Sequence, residues 1–324
     1  MATGQIWTTP SLGGYMYSDE LSDVLRTAVQ PLVRWRQFCD ADDATDKNLK
    51  RGDQYHWDVY SDVGVQGGTL VETSTMPESS FTVAQGALTV TERGLSVPYT
   101  GKLDALSKHP VMKVVQQVLK NDCRKAMDIA AYQQFDRTLL RVVPVNGTAT
   151  DSVTLTVNGT AASTNTAALG KGHVKDIVDK MKERNIPGYA GDDYFGVAHP
   201  TTWRQLMNDL ESVRQYVDAG YSLIMNGEKG RYEGVRLVEQ TAIPKGNTAD
   251  YVTYTPWSQS RSNQAFFFGA DTVMEAIAIP EEVRGKIPTD FGRSRGVAWY
   301  ALNGFGIVHT LALQSRIVKW DSLA

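Results

Sequence analysis

Residues 110–142 read PVMKVVQQVLKNDCRKAMDIAAYQQFDRTLLRV, about thirty residues with no glycine and no proline after the first. Pro110 suits the first turn of a helix, where its missing N–H would be unpaired anyway. Pro144 and Asn146-Gly147 lie just past the far end, where a helix should stop. At about 1.5 Å per residue the stretch predicts a single rod roughly 50 Å long, far above the ordinary helix of about 11–12 residues. Val111, Val115, Val118, Ala126, Ile129 and Leu139/Leu140 recur at three- and four-residue steps. Between them fall Lys113, Lys120, Arg124, Lys125, Asp128, Asp136 and Arg137, so one face reads apolar and the other charged. Asp122 and Gln133 interrupt the stripe. The rod therefore reads as a strut packed locally against several elements, not as a coiled-coil seam with sustained heptads.

The rest of the chain must supply what the strut packs on. At 324 residues, two subdomains are expected. Apolar residues at 42% and charged residues at 21% are ordinary for a folded protein. A net charge of −3 lacks the strong positive balance of a nucleic-acid or acidic-membrane binder. Cys39 and Cys123 are too few and too ill-spaced for a metal site or a disulfide framework, which fits a reducing compartment. Met1-Ala-Thr-Gly-Gln-Ile-Trp7 has no basic region followed by an apolar core, so it does not read as a signal peptide. No window approaches 18 uninterrupted apolar residues, so no membrane-spanning helix is expected.

Residues 1–17 are low in charge, rich in Thr, Gly and aromatics, and without period: an extended arm. Ser18 reads as an N-cap, and Asp19 and Glu20 sit where the helix dipole favours them. Leu21, Val24, Leu25, Ala28, Val29 and Leu32 then form an apolar stripe. With an arm in front of it, this amphipathic helix is expected to bury its stripe on another subunit. From 52 to 99 the period changes to two. Tyr55, Trp57 and Val59 alternate with His56, Asp58 and Tyr60, and further strands are expected at 69–72, 81–83, 87–91 and 95–99. Few of these residues are bulky and apolar, so the segment reads as a long two-stranded ribbon with two wet faces. Such hairpins are marginal alone in water, and this one is expected to lie over a partner molecule.

Beyond the strut, 153–157 and the Asn158-Gly159 turn lead to a helix at 172–184 with Val174, Ile177, Val178 and Met181 on one side. Residues 194–198 form a short buried-type strand that turns at His199-Pro200 into a helix carrying Trp203, Leu206, Met207 and Leu210. The stretch 214–232 reads as loop, and 234–239, 265–269 and 273–279 read as strands. A basic, glycine-containing loop follows (Arg284, Lys286, Arg293, Arg295), and 297–320 is a closing run of strands. The sum is α+β.

Chemistry-bearing patterns are sparse. His56, His109, His173, His199 and His309 lie in different segments, and none belongs to a zinc-ligand motif. Only His199, at a strand end before Pro200, merits weighing as catalytic. Lacking a nucleophile context, it reads better as a turn residue capping the next helix. Asp40, Asp42, Asp43 and Asp46 lack the fixed glycine and closing glutamate of a calcium loop. Arg51-Gly52-Asp53 is an adhesion tripeptide in spelling only. Asn146-Gly-Thr and Asn158-Gly-Thr read as turns. Gly304 and Gly306 have no downstream glycine and helix, so they make no phosphate loop. The basic residues of the strut and of the 285–295 loop have acidic neighbours, which makes ion-pair faces their default. No catalytic, cofactor or metal constellation emerges.

Arm, amphipathic helix, ribbon, strut, compact α+β unit and returning strands occur in an order that resembles the major capsid protein of tailed double-stranded DNA phages, the Hong Kong 97-type fold. The stretches that carry the likeness are YFGVAHPTTWRQL from Tyr194, GVRLVEQTAIP from Gly234, AFFFGAD from Ala265, and GRSRGVAWY from Gly292 followed by Gly304-Phe-Gly-Ile. They look most like the coat proteins of one group of podoviruses.

The resemblance implies an N-arm over 1–50, an E-loop over 51–101 and a spine helix of the peripheral domain over 102–145. It implies a mainly axial domain over 146–285 and a return to the peripheral domain over 286–324. It further implies self-assembly into hexamers and pentamers of an icosahedral virion shell, built in the host cytoplasm around double-stranded DNA without sequence-specific contact. A portal is expected, with room for a decoration protein. With no long helical leader before the arm, a separate scaffolding protein is implied. No Lys lies between Lys50 and Lys102, so the family's covalent crosslink from the E-loop is not expected. The residues singled out for assembly contacts are Leu21, Leu25, Leu32, Tyr55, Trp57, Phe81, Arg284, Arg293 and Arg295. Two rivals remain at this point: an encapsulin-like cage of the same fold holding cargo, and a hydrolase centred on His199.

Overall fold

The computed structural model describes residues 4–5, 32–63, 67–145, 152–159, 167–214, 228–241, 243, 263–288 and 290–322. Among them a seven-stranded mixed sheet, a four-stranded mixed sheet and a two-stranded ribbon are arranged around one long helix. Leu21, Leu25 and Asn146 lie outside the described residues.

The strut is helix α2, Val111–Asp136, with α1, Gly101–Leu106, just before it. At 26 residues α2 is about 39 Å long, shorter than its sequence predicts. The period changes after Asp136. Leu140, Val142 and Pro144 are buried and Arg141 and Val143 are not, so this two-residue alternation makes strand β5, Leu140–Pro144. The buried face of α2 is also rotated from the expected stripe. Leu119, Met127, Ala130, Ala131, Tyr132 and Phe135 are buried, whereas Val118 is half exposed and Ile129 is only partly covered. Asp128, expected on the charged face, is 3% exposed.

The four-stranded sheet has the order β1 (Cys39–Asp43), β11 (Val273–Gly285), β12 (Ser294–Ile307) and β4 (Thr91–Thr100). β1 runs parallel to β11 and the other pairs are antiparallel. The 95–99 strand expected in the ribbon is thus part of a wider sheet, and Asp40, Asp42 and Asp43 sit in a strand, not a calcium loop. The residues expected as a strand at 69–72 form none.

The ribbon proper pairs β2, Gln54–Tyr60, with β3, Val83–Thr89. The seven-stranded sheet has β6 (Val153–Thr156) at one edge, then β5, β13 (Ile317–Ser322), β10 (Asn263–Phe268), β7 (Tyr194–Ala198), β9 (Val235–Glu239) and β8 (Glu228–Tyr232). β8 lies within a stretch whose sequence reads as loop. Helices α3, Lys171–Glu183, and α4, Arg204–Arg214, cover one face. Residues 286–322 therefore supply β12 to one sheet and β13 to the other.

Phe266-Phe267-Phe268 shows why β10 is apolar at every position. Phe266 and Phe268 point to the α2 side, within about 5 Å of the Trp35 and Phe135 rings respectively. Phe267 points to the α3/α4 side, edge-on to Trp203 at 6.0 Å. A sheet covered on both faces has no wet side, so alternation disappears from the sequence. All three rings are fully buried, each contributing about 1.5–3 kcal/mol of transfer free energy.

Candidate assembly surface

The ribbon is rooted in its own chain. Tyr55, Leu88 and Val90 are buried against Ala44, just after β1, and Ala276, Ala278 and Leu302 of the four-stranded sheet. Trp57 lies in a slot whose walls are glycines. A Cβ on Gly86 would overlap the indole, and one on Gly306 would stand 3.0 Å from it. The indole Nε1 donates to the carbonyl of Val308 at 3.0 Å. Tyr55 and Trp57, singled out from sequence for contacts with a neighbour, make these contacts within the chain. The sheet offers them an apolar platform and a carbonyl acceptor that the ribbon's own sequence could not reveal.

Beyond Trp57 most of the ribbon's large apolar side chains are exposed. Tyr60, Val63, Leu70, Val71, Met76, Phe81 and Val83 are all more than 40% exposed. Asp58, Asp62, Glu72 and Glu78 accompany them, and no Lys or Arg lies between Arg51 and Arg93. A projecting arm that is at once apolar and acidic is costly to leave in water and is the kind of patch that marks an interaction site. Phe81, just before β3, is 60% exposed.

The loop joining β11 to β12 is the second projection. Asp290, Phe291 and Gly292 have φ of 54°, 50° and 88°, a left-handed run that holds Phe291 fully in solvent. Ile287 and Val283 are also exposed. The cations expected here to face a partner are matched locally. Arg295 pairs with Asp104 at 2.7 Å and Arg293 with Asp290 at 3.7 Å, while Arg284 bonds Glu282 and stacks 3.6 Å from the Tyr300 ring centroid. Exposed pairs of this kind contribute about 0–1 kcal/mol, so they leave the side chains available for new partners. Sequence reasoning missed Val283, Ile287 and Phe291. Their signal is two large apolar residues, Ile287 and Phe291, inside a charged, glycine-bounded loop, with Val283 just before it at the end of β11.

The N-terminal segment is clamped where it enters the fold. Asp128 of α2 accepts from the backbone N–H of Trp35 at 2.6 Å, from that of Arg36 at 3.3 Å and from Gln240 Nε2 at 2.7 Å. Burial raises its pKa to about 6, against the lowering effect of those three donors. Trp35 fills the space between α2 and β10, fully buried among Tyr132, Phe135 and Phe266. Arg36 reaches across to Glu275 of β11 through two bonds of 2.8 and 2.9 Å, and Asn303 Nδ2 holds the same carboxylate at 3.1 Å. Such bidentate pairs fix geometry as well as energy. Leu32, upstream of this clamp, is 44% exposed, and its N–H donates to Thr241 Oγ1 at 2.8 Å.

His199 is 3% exposed. Its Nδ1 accepts from the Thr201 backbone N–H at 3.2 Å and meets Thr201 Oγ1 at 2.8 Å, so the ring braces the turn before α4. Among the described residues no group of three or more His, Cys, Asp or Glu is placed to hold a metal, and no helix is long and apolar enough to cross a membrane.

The subunit thus combines an exposed ribbon with a packed root, a clamped N-terminal segment and two sheets sharing one long helix. The family model for phage capsid protein matches residues 110–315, and the chain belongs to that family. It is a structural protein of the virion capsid. Its fold is similar to the capsid of cyanophage P-SCSP1u, with a TM-score of 0.67 at 12% identity over 94% of this chain and 93% of that one. The capsid of Ralstonia phage GP4 gives 0.64 at 12% identity, over 94% of each chain. The capsid of a native GTA particle gives 0.56 at 14% identity, over 96% of this chain and 97% of that one. No curated protein matches in sequence.

Proposed function

We propose that this chain is the major capsid protein of a Hong Kong 97-type shell, tiling hexamers and pentamers around double-stranded DNA. In that plan residues 1–50 are the N-arm and 51–101 the E-loop, with β2–β3 as its ribbon. Helix α2, within 102–145, is the spine of the peripheral domain, together with the four-stranded sheet. Residues 146–285 are mainly axial, built on the seven-stranded sheet, and 286–324 return towards the periphery. The ribbon carries the reading: seven large apolar side chains between Tyr60 and Val83 stand uncovered on an arm whose root is firmly packed. A neighbouring copy is the surface that would cover them. Phe81, Leu32, Arg284, Arg293 and Arg295 are the contact residues this reading assigns, with Leu21 and Leu25 on the N-arm.

Closed shells gain from multivalency, so each contact needs only modest strength. A mildly negative subunit suits a container that must later release its DNA, since strongly basic walls would retain it. The same plan calls for a portal and a separate scaffolding protein, leaves room for a decoration protein, and puts assembly in the host cytoplasm. Electron microscopy of the purified protein tests the reading. Closed shells of uniform diameter are expected; a monodisperse small species under every assembly condition would overturn it.

A further inference from the structure

A cleft of about 200 Å³ opens where the ribbon leaves the body, between Tyr60, the turn after α3 (Arg184, Asn185) and the 309–316 segment. Its chemistry is cationic. Arg316 Nη1 donates to the Asp271 carboxylate and to the Ala270 carbonyl, each at 3.2 Å, and His309 Nε2 meets the same carboxylate at 3.1 Å. Asp271 thus answers Arg316. Nothing answers Arg184: among the described residues it has no carboxylate partner. One Nη donates to the Ala312 carbonyl, while its Nε is buried with no acceptor.

A buried donor left unpaired is destabilising, and more so when it is charged. Arg184 lines the cleft with such a donor on its guanidinium and no carboxylate to meet its charge, which suits the cleft to an anionic acceptor. Guanidinium groups prefer acceptors with two oxygens in a plane, which both carboxylate and phosphate supply. We propose that this cleft is an oxyanion site, with Arg184 as its donor. The group it takes is either inorganic phosphate or an acidic side chain of a neighbouring copy, whose ribbon is rich in carboxylates. The cleft itself carries the assignment; only the neighbour as source rests on the shell reading.

Thermal unfolding in inorganic phosphate against chloride at equal ionic strength tests the first source. The wild-type Tm is expected to rise by about 2–4 °C at phosphate well above Kd, and Arg184→Gln to abolish the rise. Because Arg184 also supports the Ala312 carbonyl, Arg184→Lys serves as a second variant that keeps the charge and loses the fork. It should retain only part of the shift. Particles imaged in phosphate-free buffer test the second source, through a neighbour's carboxylate within hydrogen-bonding distance of Arg184. An equal phosphate response in wild type and both variants overturns the proposal. So does the absence of any phosphate response together with only water at Arg184 in the particle. If no particles form, the shell reading fails separately, and the phosphate arm alone decides the cleft.

Discussion

The carboxylate of Asp128 in the middle of α2 accepts the backbone N–H of Trp35 at 2.6 Å, across 93 residues of sequence. That one contact fixes where the N-terminal segment joins the helix. It stops an otherwise orphaned turn from burying unpaired donors.

Replacing Asp128 by Ala should therefore cost about 2–4 kcal/mol, since two backbone N–H groups and the Gln240 amide lose their acceptor. Asp128→Asn should cost much less. Its Oδ1 can still receive the Trp35 N–H, and the Gln240 amide, whose Oε1 has no partner, can turn to accept from the new Nδ2. Denaturant unfolding of the two variants checks the difference, and equal losses would contradict it.

The same group gives a pH signature. Asp128 titrates near 6 in the folded protein, well above the ordinary 3.8 of an aspartate, because burial disfavours its charge. A raised folded pKa contributes stability that is fully present below 3.8 and is lost as pH rises through about 6. The span corresponds to roughly 3 kcal/mol. Asp271 runs the opposite way, held low by its hydrogen bond to His309. Comparing wild type with Asp128→Asn between pH 4 and 7 isolates the first effect. Parallel stability curves for the two proteins would rule it out.

Phe135→Ala should destabilise by about 3–5 kcal/mol, leaving a cavity beside Trp35 and Phe268. Val118→Ala, on the exposed side of α2, should stay within about 0.5 kcal/mol. Urea midpoints measure both. The contrast checks which face of α2 is the inner one.

Gly86→Val should push the Trp57 indole from its slot and break its bond to Val308, loosening the ribbon root while the two sheets persist. Limited proteolysis is expected to cut within 61–82 faster than in wild type. An unchanged digestion pattern would mean the root tolerates the side chain.

Phe81→Ser should leave the urea midpoint of the unassembled subunit within about 0.5 kcal/mol of wild type, because the ring touches little of its own chain. Shell yield should fall sharply. Undiminished assembly would take the ribbon tip out of the interface.

The period of three to four in α2 and the period of two in β2 are local steric facts, and both were legible from residue order alone. So was the succession of ribbon, strut and strands. The sequence also marked Trp57 and Tyr55 as contacts for a neighbouring copy, with no sign that a home sheet receives them. That depended on Gly86 and Gly306 lying opposite, which only the pairing of distant strands arranges.

The rod of 110–142 was legible as a helix but not its end or its inner face. Its last turns belong to β5 because Leu140–Val142 find β13 about 180 residues later and pair with it in parallel. Asp128 looks like a surface charge in any helical projection, since nothing near it in sequence says that Trp35, Arg36 and Gln240 will bring it donors. Local periodicity determines which elements form. Which face is buried, and which charge is kept inside, is decided by hydrogen-bond partners far along the chain, so only the tertiary structure supplies them.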